Sequence, residues 1–197
     1  TTPPEYQFSC IPFALPFRPQ QVTRRPVVQG TQTAIVVGPS GEEIFTDKYG
    51  RVKVQFNWDR DGQLNASSSC WVRCAFPWAG KNFGFISIPR VGHEVVVAFE
   101  EGDPDRPVIV GSVYNADMMP PWVLPDNKTQ SGIQTRTEKG GSTNLNVLQF
   151  EDKKQSEFVF LHGEKDYHTR VKNDTFGNFG RDVFRQITSE ERPAHHA

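Results

Sequence analysis

The sequence predicts an all-β protein whose first part closes into a small barrel. In residues 51–59 apolar and polar side chains alternate strictly, which is the period of a half-buried strand. No stretch of the sequence shows the 3.6-residue apolar period of an amphipathic helix. The 16 Gly and 15 Pro are scattered along the 197 residues, as turns between many short strands require. Strands this short and this closely spaced favour a closed barrel over an open sheet.

Four segments follow one another along the chain. Residues 1–29 are expected to form an extended linker, because six prolines exclude a long helix and weaken internal strands. Residues 30–115 are expected to form the barrel, with strands at 34–37, 51–59, 70–76, 85–88, 94–99 and 107–114. Residues 116–142 are expected to form a second linker. Shorter strands resume in residues 143–197, at 145–151, 158–161 and 167–172, and a C-terminal tail follows them.

The alternation also predicts which side chains fill the barrel. Apolar residues of one parity in the two clearest strands should point inward and pack beside one another. The expected core residues are Val52, Val54, Phe56, Trp58, Val95, Val97 and Phe99. Glycines at the segment boundaries are expected to serve turns or close backbone approach. They are Gly50, Gly92, Gly102 and Gly111.

Composition argues against a nucleic-acid binder and against a membrane span. The 22 basic residues are balanced by 23 acidic ones, for a net charge of -1, whereas nucleic-acid binders usually carry a basic excess. The polar face of residues 51–57, which carries Arg51, Lys53, Gln55 and Asn57, is expected to be solvated or to contact another subunit. No apolar run approaches the roughly 20 residues that a transmembrane helix needs, and no signal peptide is visible.

Motifs for catalysis or metal binding are missing from the sequence. We find no nucleophile elbow, zinc-binding helix, phosphate loop or dinucleotide-binding turn, so we expect neither an enzyme nor a cofactor. The carboxylate pairs Asp59/Asp61 and Asp103/Asp105 lie in Gly- or Pro-containing turns, which favours a turn-forming role. Cys70 and Cys74 are expected to be buried free thiols that act as small hydrophobic side chains.

Residues 143–197 have too few strands to cover their own apolar side chains. A lone hairpin is marginal in water, and each large apolar side chain left exposed forfeits about 1.5–3 kcal/mol of burial. We therefore expect other chains to cover this part of the molecule. The residues expected to nucleate that assembly are Phe158, Phe160, Tyr167 and Val171.

A series of short motifs runs along the chain to about residue 174. They are 47–56 (DKYGRVKVQF), 71–73 (WVR), 77–80 (PWAG), 88–95 (IPRVGHEV), 102–107 (GDPDRP), 111–115 (GSVYN), 131–133 (SGI), 140–142 (GGS), 150–154 (FEDKK) and 171–174 (VKND). The motifs are specific as a series, and this series resembles the valine–glycine repeat protein (VgrG) spikes of bacterial type VI secretion systems, and their relatives in the baseplate hub and tail spike of contractile phages.

The resemblance implies an OB-fold barrel at 30–115 and the beginning of an intertwined trimeric β-helix at 143–197. The linker at 1–29 would then leave a hub domain that is absent from this sequence. As implied function, three copies would form the membrane-puncturing needle that carries effectors. The implied partners are a tail-tube (Hcp-like) protein below, a PAAR-type tip protein and effectors or their adaptors above, and transiently the target membrane. Assembly in the bacterial cytoplasm and delivery on firing are implied as well.

Two other functions are kept as alternatives. The aromatic residues of the barrel could serve an OB-fold nucleic-acid binder, which would stack bases on them. A hydrolytic effector fused to a spike is the other alternative, because phage relatives carry lysozyme domains. If three copies assemble, His162 or His168 of each chain could also meet on the symmetry axis, although their spacing fits no metal motif.

Overall fold

The computed structural model of the protein describes residues 3–181 and residue 183. Within these residues nearly all regular structure is β, with one short 3-10 helix at Glu100–Gly102. The strands are β1 (Gln32–Val37), β2 (Lys53–Phe56), β3 (Arg73–Cys74), β4 (Ala79–Gly80), β5 (Phe83–Gly84), β6 (Glu94–Phe99), β7 (Pro107–Val113), β8 (Gln130–Arg136), β9 (Leu145–Glu151) and β10 (Phe158–His162). The all-β fold class predicted from the sequence is confirmed.

The first sheet curls into a barrel. Its five strands lie in the order β2-β1-β6-β7-β3, and the pair β3–β7 is parallel while the other pairs are antiparallel. Val52 and Val72 exchange both backbone hydrogen bonds, at 3.1 and 2.8 Å, just before β2 and β3. This bridge joins the two ends of the strand order. Closure of this kind removes exposed sheet edges.

Small β-branched side chains fill the barrel. Valine suits this position because its branched side chain packs well on a pleated surface. The buried cluster consists of Ala34, Val36, Val52, Val54, Val72, Val95, Val97 and Ile109. Phe56, Cys74, Ile88 and Phe99 are partly buried and pack against this cluster from outside. The centre is therefore lined by valine, and the aromatic side chains sit at its rim.

Trp58 was expected in this core, and the structure places it outside. Its side chain is 66% exposed, its indole N–H donates to Gln32 Oε1 at 2.9 Å, and its ring stacks on Phe56. Strand β2 ends at Phe56, so the alternation that assigned Trp58 to the inward face no longer applies two residues later. The prediction for Trp58 was wrong because periodicity carries no information beyond the end of a strand.

Three of the four singled-out glycines have the backbone conformation that a turn demands. Gly50, Gly92 and Gly102 have φ of 71°, 89° and 72°, in the left-handed region that favours glycine. Gly111 instead lies within β7, opposite Val96 at the point where the β6–β7 register shifts. An added Cβ at Gly111 would contact nothing within 4 Å, so neither a turn nor a close approach explains it.

The DKYGR segment builds the turn that leads into the barrel bridge at Val52. Asp47 accepts hydrogen bonds from the backbone N–H groups of Tyr49 and Arg51, at 2.9 and 3.0 Å, and pairs with the Arg51 guanidinium at 2.6 Å. Burial acts to raise the pKa of the Asp47 carboxyl, but these bonds from Arg51 and Tyr49 bring it below its ordinary value. This motif is thus explained by turn formation.

A second sheet follows the barrel, with strand order β10-β9-β8 and antiparallel pairing throughout. Its first strand, Gln130–Arg136, falls inside the segment predicted as the 116–142 linker, so the sheet begins earlier than expected. Arg90 connects the two sheets by donating from Nη2 to the Arg136 carbonyl oxygen at 2.7 Å. The predicted tail at the C-terminus lies largely outside the described residues, since only 183 is described beyond 181.

The N-terminal segment contains no strand among its described residues, 3–29. Its last part attaches to the turn after β6: the Val28 N–H donates to the Gly102 carbonyl oxygen at 2.8 Å, and Arg25 lies 3.4 Å from Asp103. An added Cβ at Gly102 would lie 2.6 Å from the Val27 side chain, so glycine lets the chain approach here. The extended segment is therefore fixed to the barrel at one end.

Candidate assembly interface

The second sheet exposes a large apolar surface on one side. We call this side face 1 and define it by Ile133, Leu148, Phe150, Val159 and Leu161. Ile133, Leu148 and Leu161 are direct cross-strand neighbours, and Phe150 pairs with Val159 in the next row. These five side chains are between 36% and 69% exposed. Large apolar side chains that touch across strands normally stabilise a sheet by being buried together, and here the described residues cover them only in part.

The opposite side, face 2, mixes apolar and polar side chains. It carries Val147, which is buried, and Phe158 and Phe160, which are each about half-exposed. The Phe160 ring stacks on the His162 imidazole, with centroids 6.0 Å apart. Gln149 lies directly opposite Phe160, on β9. A sheet with apolar side chains on both faces has to bury each face against another element.

Carboxylates hold the ends of this sheet in place. Glu164 accepts from Asn144 Nδ2 at 2.5 Å and from the Leu145 N–H at 2.9 Å, and its own N–H donates to Asn146 Oδ1 at 2.9 Å. The hydrogen bonds from Asn144 and Leu145 hold the pKa of the Glu164 carboxyl below its usual value. This carboxylate therefore fixes the start of β9.

Glu151 does the same at the other end of β9. It is buried, and its carboxylate accepts from Gln130 Nε2 at 3.2 Å and from the Lys153 N–H at 2.8 Å. Hydrogen bonds from Thr129, Lys153 and Gln130 lower its pKa against the opposing effect of burial. Because both ends of β9 are fixed, the strand presents its apolar side chains in a defined register.

The four residues predicted to nucleate assembly are not brought together. Phe158 and Phe160 lie on β10 and point to face 2. Tyr167 and Val171 are exposed and lie outside any strand, so the strand predicted at 167–172 does not form in the single chain. Among the described residues, that segment has no neighbouring strand to pair with, and an isolated strand is unstable in water. Of the four residues predicted to nucleate assembly, only Phe158 and Phe160 therefore lie on face 2.

Face 1 was missed by the sequence analysis. Its residues occupy the other parity from Phe158 and Phe160, and the run FVFLH is apolar at both parities, so alternation cannot choose a face. A continuous apolar run is a sign of a strand buried on both faces, and this sign was available in the sequence. Strand β8 carries one large apolar residue, Ile133, and gave no such signal.

On the polar face of β2, Lys53 and Gln55 form hydrogen bonds with the loop that follows this strand. Lys53 Nζ donates to the Ala66 carbonyl oxygen at 2.6 Å, and Gln55 Oε1 accepts from the Leu64 N–H at 2.7 Å. Gln55 is buried by this contact. The expectation that this face is solvated or contacts another subunit is therefore wrong for Gln55, because the loop after β2 folds back over it.

The acidic residues of the barrel turns bind backbone or arginine. Asp59 Oδ1 accepts from the Gly62 N–H at 2.9 Å, and Asp103 Oδ1 accepts from the Asp105 N–H at 3.0 Å, which confirms their turn-forming role. Glu100 pairs with both Arg73 and Arg106. Among the described residues, no group of three or more His, Cys, Asp or Glu side chains is placed to hold a metal ion.

Cys74 and Cys70 differ in their surroundings. Cys74 is half-buried against the barrel core, and burial raises the pKa of its thiol to about 11. Cys70 is exposed, so the expectation of a buried thiol is wrong for it. It precedes β3, and the strand predicted at 70–76 is limited to Arg73–Cys74. In the described part of the chain, no helix has the length and apolar character needed to cross a membrane.

Comparison with known families agrees with the two sheets. Residues 42–114 match the family described as the type VI secretion system/phage-baseplate injector OB domain. Residues 131–195 match the family described as the bacteriophage T4 gp5 C-terminal trimerisation domain. The first match covers most of the barrel, and the second begins within β8 and contains all five residues of face 1.

Relatives in two bacteria are similar to this chain. The chain is 52% identical over 184 residues to the type VI secretion system spike protein VgrG1b of Pseudomonas aeruginosa, and 53% identical over 184 residues to VgrG1c of the same species. It is 45% identical over 188 residues to the actin cross-linking toxin VgrG1 of Vibrio cholerae. These alignments cover 93%, 93% and 95% of this chain, but 25%, 25% and 17% of the respective relatives.

The chain thus spans about a quarter or less of the length of these relatives. Neither alternative function, nucleic-acid binding or hydrolysis, is supported by the matched families. The barrel thus matches an injector OB domain and the second sheet matches a gp5-type trimerisation domain, and over nearly its whole length the chain is similar to the VgrG spike proteins of type VI secretion systems.

Proposed function

We propose that this chain is the OB and trimerisation segment of a type VI secretion spike, and that its role is mechanical. The observation that carries this proposal is face 1, an apolar surface on three ordered strands that the described residues leave largely open. The match of the same residues to a trimerisation domain supports two further copies of this chain as what covers it. The assembly is then a homotrimer.

Burial of face 1 supplies the driving force for assembly. Fully burying a Leu, Ile, Val or Phe side chain contributes about 1.5–3 kcal/mol, and face 1 presents five such side chains in each copy. Each is already partly covered, so the gain per side chain is smaller than that range. Summed over three copies, the gain is of the same order as the entropy lost on association, which is roughly 4–15 kcal/mol for each association step.

A puncturing device requires stiffness and no turnover, and the chain's chemistry fits that requirement. Its turn carboxylates are used in hydrogen bonds to backbone N–H groups. We therefore propose a structural component without catalytic activity. Its partners would be a tail-tube protein below, and a tip protein with effectors or adaptors above. The trimer would assemble in the bacterial cytoplasm and be delivered out of the cell on firing, with transient contact to the target membrane.

The oligomeric state of the 197-residue chain tests this proposal. Light scattering after size exclusion should give a mass three times the chain mass of 22.3 kDa. The substitution Leu148→Lys places a charge in the centre of face 1, and we expect it to yield monomers, because an unpaired buried charge is strongly unfavourable. Val123→Lys changes an exposed apolar residue outside both sheets, and this control should leave the trimer intact.

Two results would contradict the proposal. One is a wild-type chain that stays monomeric at high micromolar concentration. The other is a Leu148→Lys variant that trimerises as well as the wild type does.

A further inference from the structure

A short hairpin projects from the barrel, and it belongs neither to the barrel core nor to face 1. We call residues 77–86 the arm. It leaves the barrel after β3, forms the pair β4–β5, and returns before β6. Its turn holds Asn82 in the left-handed region, at φ of 62°.

The conformation of the arm is well specified. The Phe85 N–H donates to the Trp78 carbonyl oxygen at 2.9 Å, and the Trp78 and Phe83 rings meet edge to face at 5.5 Å. Gly80 lies under the Phe83 ring, since an added Cβ would be 2.5 Å from it. Gly84 has φ of 144° and would place a Cβ 2.5 Å from the Trp78 oxygen. These constraints hold the aromatic rings in one arrangement.

Yet the apolar side chains of the arm lie in solvent. Trp78, Phe83, Phe85 and Ile86 are between 44% and 71% exposed. Lys81 is the one charged residue among residues 77–86, so the arm offers no charge pattern for an anionic ligand. An apolar surface of this size on a rigid hairpin is typical of a protein contact site.

The root of the arm lies beside the sheet that carries face 1. Four residues after Ile86, the Arg90 guanidinium donates to the Arg136 carbonyl oxygen at the end of β8, at 2.7 Å, and also lies 3.5 Å from Glu43. The segment that follows the arm is thus joined to the second sheet, which carries face 1.

We propose that the arm is a second contact between subunits, which packs on the barrel of a neighbouring copy of this chain. The proposal rests on the proposed trimer and adds to it a contact outside the second sheet. The hydrogen bond from Arg90 to Arg136 joins the segment that follows the arm to the sheet that carries face 1, and this link is why we propose a second copy as the occupant. The arm would then fix the position of each barrel relative to its neighbours, and this would stiffen the spike.

Sedimentation of the full chain at decreasing concentration tests the arm. We expect the double variant Trp78→Ser/Phe83→Ser to raise the concentration at which the trimer dissociates by about tenfold or more, as loss of aromatic anchors does in protein interfaces. The matched control is Trp58→Ser: Trp58 is 66% exposed and Trp78 63%, but Trp58 lies outside the arm. The control should shift this concentration by less than about threefold. Equal shifts in both variants would overturn the proposal.

Hydrogen exchange of the wild-type chain gives a second readout that needs no substitution. Amides of residues 79–86 should exchange more slowly in the trimer than in the diluted monomer. A trimer in which the arm exchanges as in the monomer would overturn the arm contact and leave the spike function standing. A wild-type chain that never trimerises would contradict both.

Discussion

At the scale of single residues, Gln55 shows how one side chain organises a loop. Its Oε1 accepts from the Leu64 N–H at 2.7 Å and from the Ser68 hydroxyl at 3.0 Å, and its Nε2 donates to the Asp59 carbonyl oxygen at 3.3 Å. One buried amide therefore satisfies three groups of the loop that follows β2. A loop held in this way keeps a fixed shape without strands of its own.

Replacement of this amide should be costly. We expect Gln55→Ala to lower the free energy of unfolding by about 1–3 kcal/mol, because it leaves buried polar groups without a partner. Urea denaturation followed by tryptophan fluorescence measures this loss. Asn57→Ala is the control, since Asn57 is exposed and bonds Thr33 Oγ1 at 3.1 Å, and it should cost less than about 1 kcal/mol. Equal losses in both variants would contradict the role assigned to Gln55.

At the scale of elements, the second sheet depends on ionised carboxylates at both ends of β9. Glu164 has a pKa below its ordinary value of 4.5 in the folded chain. A lowered pKa means that the folded state binds the proton less readily than the unfolded state does. The stabilisation by Glu164 is therefore complete above about pH 4.5 and is lost as the pH falls through the lower, folded pKa.

Acidification should consequently weaken the sheet. At a fixed protein concentration, we expect the melting temperature of the wild-type chain to fall as the pH drops below about 4.5, because Glu164 and Glu151 both take up protons as the pH approaches their lowered pKa. Glu164→Gln should show a lower melting temperature at neutral pH and a shallower fall. Glu157→Gln, which removes an exposed carboxylate near β10, serves as the control. A Glu164→Gln profile parallel to the wild type would count against this assignment.

At the scale of the whole molecule, the two sheets differ in how far each buries its apolar side chains within one chain. The barrel closes through the bridge from Val52 to Val72 and buries its core within one chain. The second sheet leaves apolar side chains open on both faces. The stability of the barrel therefore resides in the chain, and that of the second sheet depends on the assembly.

This difference predicts two unfolding transitions with unlike concentration dependence. In calorimetry, the transition of residues 130–162 should rise in temperature with protein concentration, because association stabilises the folded state by mass action. The barrel transition should change little. In Leu148→Lys both transitions should become independent of concentration. A single transition insensitive to a hundredfold dilution of the wild type would contradict an assembly-dependent sheet.

The sequence by itself determined the inward side chains of the barrel strands and the need of the second part for other chains. The physical reason is that alternation over a strand reports which face is buried, as at Val52, Val54, Val95 and Val97. It could not place Trp58, because β2 ends two residues earlier, and it could not find β8, which carries one large apolar residue.

Only the tertiary structure decided which side chains form the candidate interface. Face 1 exists because register pairs Ile133 with Leu148 and Leu148 with Leu161, and register is set by pairing between distant segments. In β10 both parities are apolar, so composition could not separate Phe158 from Val159. Local pattern reports that a surface must be buried, whereas the pairing of strands determines which residues make that surface.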